Sequence, residues 1–192
     1  GSADLLFVAG GDGTVNEALN GLIASGLDIP LAILPAGTSN DFAYSMKMPR
    51  GVLTYCNMIR EFKTRRVDIG RIGKTCFINA AAVGMLSDLS FKVSSEAKTV
   101  LGQFAYLMGG AIELPNQIYR SMPIYLNSEQ KVIEDDILLF IICNTGSVGG
   151  FRNLVPMALP DDGKFDALII HRQGLLDVVP FFLQMAASGV HL

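Results

Sequence analysis

Two short apolar runs, each cut off by small and polar residues, stand near the start of the chain. Residues 5–9 are wholly apolar and end at Gly10, and residues 31–34 end at Pro35. Runs of this length without alternation read as buried parallel strands. Between them Val15, Ala18, Leu19, Leu22 and Ile23 share one face at helical spacing, with Asn20 and Gly21 off it. Residues 41–58 read as mostly helical with a break at Pro49-Arg50-Gly51, and a hinge follows at 62–66. The pattern then changes: residues 66–72 and 76–82 alternate around Gly73-Lys74, as a hairpin does. A long helical stretch over 90–113 is stopped by Pro115, and further strands are predicted at 122–127, 131–135, 136–144 and 167–171. The order predicts an α/β fold in two parts, a partial Rossmann-like α/β domain over 1–65 and a β-rich, sandwich-like domain over 66–192.

The chemistry sits where the first two strands end. Gly10-Gly11-Asp12-Gly13-Thr14-Val15-Asn16 joins a strand to a helix. Its glycines allow a sharp turn and close approach of backbone N–H groups, and the positive end of the helix dipole favours an anion. No Lys-Ser or Lys-Thr follows, so this is not a P-loop, and the glycine spacing is not the dinucleotide fingerprint. Asp12 is the odd member, since a carboxylate repels phosphate. It caps a helix, accepts backbone hydrogen bonds in the turn, or works through a metal ion. The second loop, Pro35-Ala36-Gly37-Thr38-Ser39-Asn40-Asp41-Phe42-Ala43, is again polar and follows a strand. Ligands of open α/β sheets bind beyond the carboxyl ends of strands. Thr38 and Asn40 suit phosphate or ribose, although an Asx turn starting the next helix explains that loop equally well.

The two loops together resemble the diacylglycerol kinase catalytic-domain family, in particular its soluble bacterial lipid kinases. Sphingosine and ceramide kinases are similar, and NAD kinases and phosphofructokinases carry close versions of the first loop alone. Val67-Asp68-Ile69-Gly70-Arg71, Phe77-Ile78-Asn79-Ala80 and Pro156-Met157-Ala158-Leu159-Pro160-Asp161-Asp162-Gly163-Lys164-Phe165-Asp166 match the same pattern in the expected order. The resemblance implies a fold of the NAD kinase and diacylglycerol kinase type and transfer of the γ-phosphoryl group of ATP to a lipid hydroxyl such as that of diacylglycerol. It implies nucleotide binding by Gly10, Gly11, Asp12, Gly13, Thr14, Val15, Asn16, Thr38 and Asn40, with Asp12 and Asp68 organising magnesium or water. For Asp68 the pattern by itself reads as a solvent-facing residue of an amphipathic strand. The resemblance further implies a structural Mg2+ at Asp162 and the carbonyls of Leu159 and Lys164. Oxygen ligands of this kind suit a hard cation, although acidic turns are common without one. The general base in such kinases lies on a strand beyond the position of Leu192, and a further strand and helix precede the first loop. The chain is therefore expected to be a central, catalytically deficient piece. The rival readings are an NAD kinase-like phosphotransferase and a non-catalytic nucleotide-binding module.

Composition narrows the partners. The chain has 192 residues, 50% of them hydrophobic and 17% charged, with a net charge of −3. That is enough for a sizeable core and offers nucleic acid no basic surface. Lys63, Arg65 and Arg66 form a small cluster that reads either as a solvated helix end or as a contact for phosphate or anionic lipid. The longest apolar run, 137–143, is too short for a bilayer. The lipid is therefore expected to be met at the membrane surface by a cytoplasmic protein, with residues 178–185 either core or an apolar access face, and a homodimer is compatible with the sequence. Cys56, Cys76 and Cys143 follow no metal spacing and read as reduced core residues. His171 and His191 are isolated and read as structural or surface residues.

Overall fold

The computed structural model describes residues 3–84, 122–127 and 132–171. The predicted helix at 90–113, the apolar stretch 178–185 and His191 lie outside the described residues. The chain divides into two compact units, one formed by Gly1–Ala80 with Cys143–Asp166, the other by Ala81–Ile142 with Ala167–Leu192.

In the first unit β1 (Leu6–Gly10) and β2 (Leu31–Pro35) pair in parallel, in register from Leu6 against Leu31 to Gly10 against Pro35. The helix α1 (Asp12–Ser25) connects them as a crossover. Val8 and Ile33 point to a common core with Val15 and Leu19 of α1, Phe42 and Ala43 of α2 (Asp41–Ser45), and Cys76 and Ile78. The expected helical stripe is buried at Val15 and Leu19 but opens toward the C-terminal end, where Ile23 is exposed. The strand β1 is parallel as expected, but it is not buried on both faces. Phe7 is 52% exposed, and its ring meets that of Tyr55 of α3 (Val52–Glu61) in a T-shaped contact with centroids 5.9 Å apart. An apolar run cannot by itself reveal that only one of its faces is covered.

The hairpin around Gly73-Lys74 is real but short, β3 (Gly70–Ile72) against β4 (Thr75–Phe77), antiparallel. Asp68 therefore precedes the strand on which it was expected. Asn20, off the apolar stripe of α1, ties the helix to this hairpin: its amide donates to the Cys76 carbonyl and its oxygen accepts the Cys76 N–H, both at 2.8 Å.

In the second unit one sheet holds β5 (Ala80–Gly84), β7 (Val132–Cys143) and β6 (Met122–Asn127) in that order, with β8 (Asp166–His171) also on β7. The strands expected at 131–135 and 136–144 are thus one continuous strand, because Asp135-Asp136 runs on in extended backbone opposite Ile124 and Pro123 of β6. Ile137, Leu139, Ile141 and Cys143, two residues apart along β7, are buried. His171 meets Asp135 at 2.8 Å on the surface. Among the described residues no helix is long and apolar enough to cross a membrane.

Candidate functional site

Both predicted loops lie at the carboxyl ends of β1 and β2, and they touch. A methyl group built on Gly37 would stand 2.4 Å from the Gly11 Cα, and one on Gly11 would stand 3.1 Å from the Gly37 Cα. Only two glycines permit backbones to meet this closely. The Ala36 N–H donates to the Gly10 carbonyl at 3.1 Å and carries the parallel ladder one step into the loops.

Asp12 opens α1, yet its two oxygens accept the N–H groups of Asp41 (3.0 Å) and Phe42 (2.9 Å), so it caps the N-terminus of α2. The start of α1 is left with Gly11 at the capping position and no side-chain hydrogen bond. A helix N-terminus without such a cap presents backbone N–H donors, backed by the dipole, to any anion placed before it.

Asn40 adopts a left-handed backbone, and its side chain closes on Gly37: the Gly37 N–H donates to Oδ1 at 2.8 Å and Nδ2 donates to the Gly37 carbonyl. The Asn40 side chain thus holds the loop's shape, while Thr38 is exposed at its tip. On α1, Gly13 and Thr14 are exposed, Asn16 is half-buried and the Val15 side chain is in the core, so Val15 has only its backbone to offer.

Asp41 is the buried carboxylate of the site, 3% exposed. It accepts the Gly150 N–H at 2.9 Å and pairs with Arg152 at 3.3 Å. Burial raises its pKa above 3.8, the Gly150 N–H opposes this, the Asp12 charge adds to it, and Arg152 and Gly149 oppose it. Net, the cost of desolvation exceeds what its partners return.

A polar chain continues from α2. Ser45 Oγ donates to Thr145 Oγ1 at 3.0 Å, Thr145 donates to Asn79 Oδ1, and the Asn79 amide donates to the Ser147 carbonyl at 3.1 Å. Asn144 donates to the carbonyls of Asp68 and Ile78, both at 2.8 Å. Asp68 in turn accepts the Gly163 N–H at 2.7 Å, while its own N–H donates to the Pro160 carbonyl at 2.6 Å. The structure therefore brings Asp68 together with the turn that carries Leu159, Asp162 and Lys164. Asp162 Oδ1 accepts the Lys164 N–H at 3.0 Å, and Asp161 binds Arg65 at 2.7 Å. This turn is exposed and offers carboxylate and carbonyl oxygens, a donor set that fits magnesium. Among the described residues no cluster of three or more His, Cys, Asp or Glu side chains forms a metal centre. Arg65 is committed to Asp161, and Lys63 pairs with Glu61 at 2.9 Å.

The loop from Asn144 to Arg152 went unrecognised in the sequence. Its signal was present, because Asn144-Thr145-Gly146-Ser147-Val148-Gly149-Gly150 is a third run of small and polar residues after an apolar strand. The cysteines divide: Cys76 and Cys143 are buried, but Cys56 is exposed on α3, contrary to expectation, because α3 buries little besides Tyr55. Burial, reinforced by Asp166, pushes the Cys143 thiol up to about 12.

A parallel βαβ unit with glycine loops at its strand ends, followed by a sheet-built region, defines the class that NAD kinases and diacylglycerol kinases share. Comparison with known proteins agrees. Residues 1–72 match the diacylglycerol kinase catalytic domain, and residues 80–192 match the YegS C-terminal NAD kinase beta sandwich-like domain. The chain belongs to the diacylglycerol kinase catalytic-domain family. It is 37% identical to a diacylglycerol kinase of Bacillus subtilis (strain 168), over 98% of this chain and 62% of that protein. With one from Staphylococcus carnosus (strain TM300) it shares 35% identity over 98% of this chain and 61% of the relative. A crystal structure of a diacylglycerol kinase from Bacillus anthracis str. Sterne superposes with a TM-score of 0.67 at 26% identity, covering 97% of this chain and 59% of that one. A second structure from the same organism gives a TM-score of 0.75 at 30% identity, covering 94% and 60%. The chain thus spans about three fifths of the length of the curated relatives it matches.

Proposed function

We propose that this chain is the nucleotide-holding portion of an ATP-dependent lipid kinase that phosphorylates a lipid hydroxyl, with diacylglycerol as the acceptor. The observation that carries the reading is the uncapped start of α1 beside the Gly11–Gly37 contact: Asp12 turns away to cap α2, leaving backbone donors at a strand-end crevice. Phosphoryl transfer asks a protein mainly for positioning and charge neutralisation, and rigid backbone donors supply both.

In this reading the N–H groups of Gly13 and Thr14, with the side chains of Thr14, Asn16 and Thr38, hold the phosphates. Gly10, Gly11 and Gly37 give them close approach, and Asn40 fixes the loop. Asp12 and Asp68 act in support, Asp12 by locking α2 against the first loop and Asp68 by anchoring the turn at 160–163. Magnesium, when bound at Asp162 and the carbonyls of Leu159 and Lys164, supplies a structural cross-link there. We assign the nucleotide domain to residues 1–65 and the β-rich domain to 66–192, a division along the sequence that differs from the compact units, the first of which also takes in residues 66–80 and 143–166. The lipid is met at a membrane surface, consistent with relatives named diacylglycerol kinase.

The test has two arms. Calorimetry with MgATP on the chain reads the phosphate grip, and saturable heat is expected. Transfer of label from γ-labelled ATP in the whole protein, with diacylglycerol micelles and NAD as competing acceptors, reads the activity. Phosphatidate as the labelled product supports the proposal. Labelled NADP assigns the NAD kinase chemistry instead, and nucleotide binding without transfer to either acceptor leaves a binding module.

A further inference from the structure

We infer that Arg152 is a positioning residue for the nucleotide, holding the Thr38–Asn40 segment in place and balancing the charge of Asp41 from the loop that follows β7. This rests on the kinase reading above. Among the described residues, the polar and ring contacts of Arg152 fall on one short stretch. Its Nη2 donates to the Ser39 carbonyl at 2.9 Å, its Nη1 pairs with Asp41 Oδ1 at 3.3 Å, and its guanidinium carbon lies 3.9 Å above the Tyr44 ring. The same loop adds the Gly150 N–H on the other Asp41 oxygen. Residues 39–44 are thus held both by a planar cation and by Asp12, which caps the same helix.

The charge arrangement gives the grip a reason. Asp12 and Asp41 place two carboxylates at a loop meant for a polyanion, and among the described residues Arg152 is the cation paired with either of them. Without it the buried Asp41 would hold an uncompensated charge or take up a proton, and in either state the loop loses a fixed anchor. A lysine cannot replace the fork. It has one point charge where arginine spans Ser39 and Asp41 together and stacks on Tyr44. The Arg152 side chain keeps 28% of its surface exposed, so the residue acts at the rim of the site and not as core packing.

MgATP is the probe. Calorimetry on Arg152→Gln is expected to show affinity reduced about tenfold or more, and Arg152→Lys an intermediate loss, both with a circular dichroism spectrum like that of the unaltered chain. In the whole protein, Arg152→Gln raises the KM for ATP while the KM for diacylglycerol stays within about twofold, a split that general loosening of the fold does not produce. If Arg152→Gln does not fold, Arg152→Lys and Tyr44→Leu, which removes the ring beneath the guanidinium, carry the test. Wild-type affinity in the folded variants overturns the inference and leaves the kinase reading standing, as does a parallel rise in both KM values. Absence of MgATP binding by the unaltered chain overturns both.

Discussion

Replacing Gly37 by alanine probes the contact on which the nucleotide site depends. The added methyl group would lie 2.4 Å from the Gly11 Cα, 3.0 Å from the Gly11 nitrogen and 3.1 Å from Asn40 Oδ1, whereas ordinary contact begins at 3.4 Å. The obstacle is backbone, so it cannot rotate away. The two loops must part by about 1 Å, or the Asn40 side chain must give up its bonds to Gly37. Overpacking of this kind costs about 1–3 kcal/mol. At about 3 °C per kcal/mol for a chain of this size, the melting temperature falls by roughly 3–9 °C. A shift of ~1 Å at a site that works by positioning costs about 100-fold in turnover, so the loss of function outruns the loss of stability. Two controls set the scale. Gly11→Ala meets Gly37 at 3.1 Å and is expected to be milder, and Gly13→Ala, which points into open space on α1, raises helix stability by up to about 1 kcal/mol. Thermal melts and MgATP calorimetry on all three variants read the order directly. If Gly37→Ala melts and binds like the unaltered chain, or if Gly13→Ala is the most damaging, the close approach of the loops is not what forms the site.

Asp12→Ala strips the cap from α2 and is expected to lower stability by about 1–2 kcal/mol in urea denaturation; an unchanged midpoint would show that the two N–H bonds carry no weight. Asp41, raised above 3.8 chiefly by burial, binds its proton more tightly in the fold than in the unfolded chain. Its stabilising contribution is therefore full below pH 3.8 and is lost as pH rises through the raised folded value. Asp41→Asn should abolish that decline, so melting temperatures of the two proteins diverge as pH rises above 3.8 through the raised folded value, and a constant difference would refute the assignment. Native iodoacetamide labelling read by mass spectrometry should modify exposed Cys56 and spare Cys76 and Cys143, the last being both buried and held as a thiol; early labelling of Cys143 would contradict its placement.

What the chain announced by itself were features carried by local chemistry. The two apolar runs became parallel β1 and β2, the glycine turn became the start of α1, and the break at Pro49-Arg50-Gly51 separates α2 from α3. These depend on steric freedom and hydrophobic spacing within a few residues, and the two loops together sufficed to point to the family. Pattern reading did less well where neighbours decide. Asp135-Asp136 looked like the end of one strand and the start of another, but backbone pairing with β6 carries β7 straight through it. Phe7 and Cys56 looked like core, yet exposure depends on which face other elements cover. The role of Asp12 also needed the fold. A carboxylate in a phosphate turn is compatible with a cap, a turn bond or a metal, and its partners Asp41 and Phe42 lie 29 and 30 residues away. Arg152 lies 111 residues from Asp41, and no local pattern links them. Local sequence set the loops and the helix that can hold an anion, whereas only tertiary packing decided which charges stand beside them, because hydrogen bonds and ion pairs act over a few ångströms of space and not along the chain.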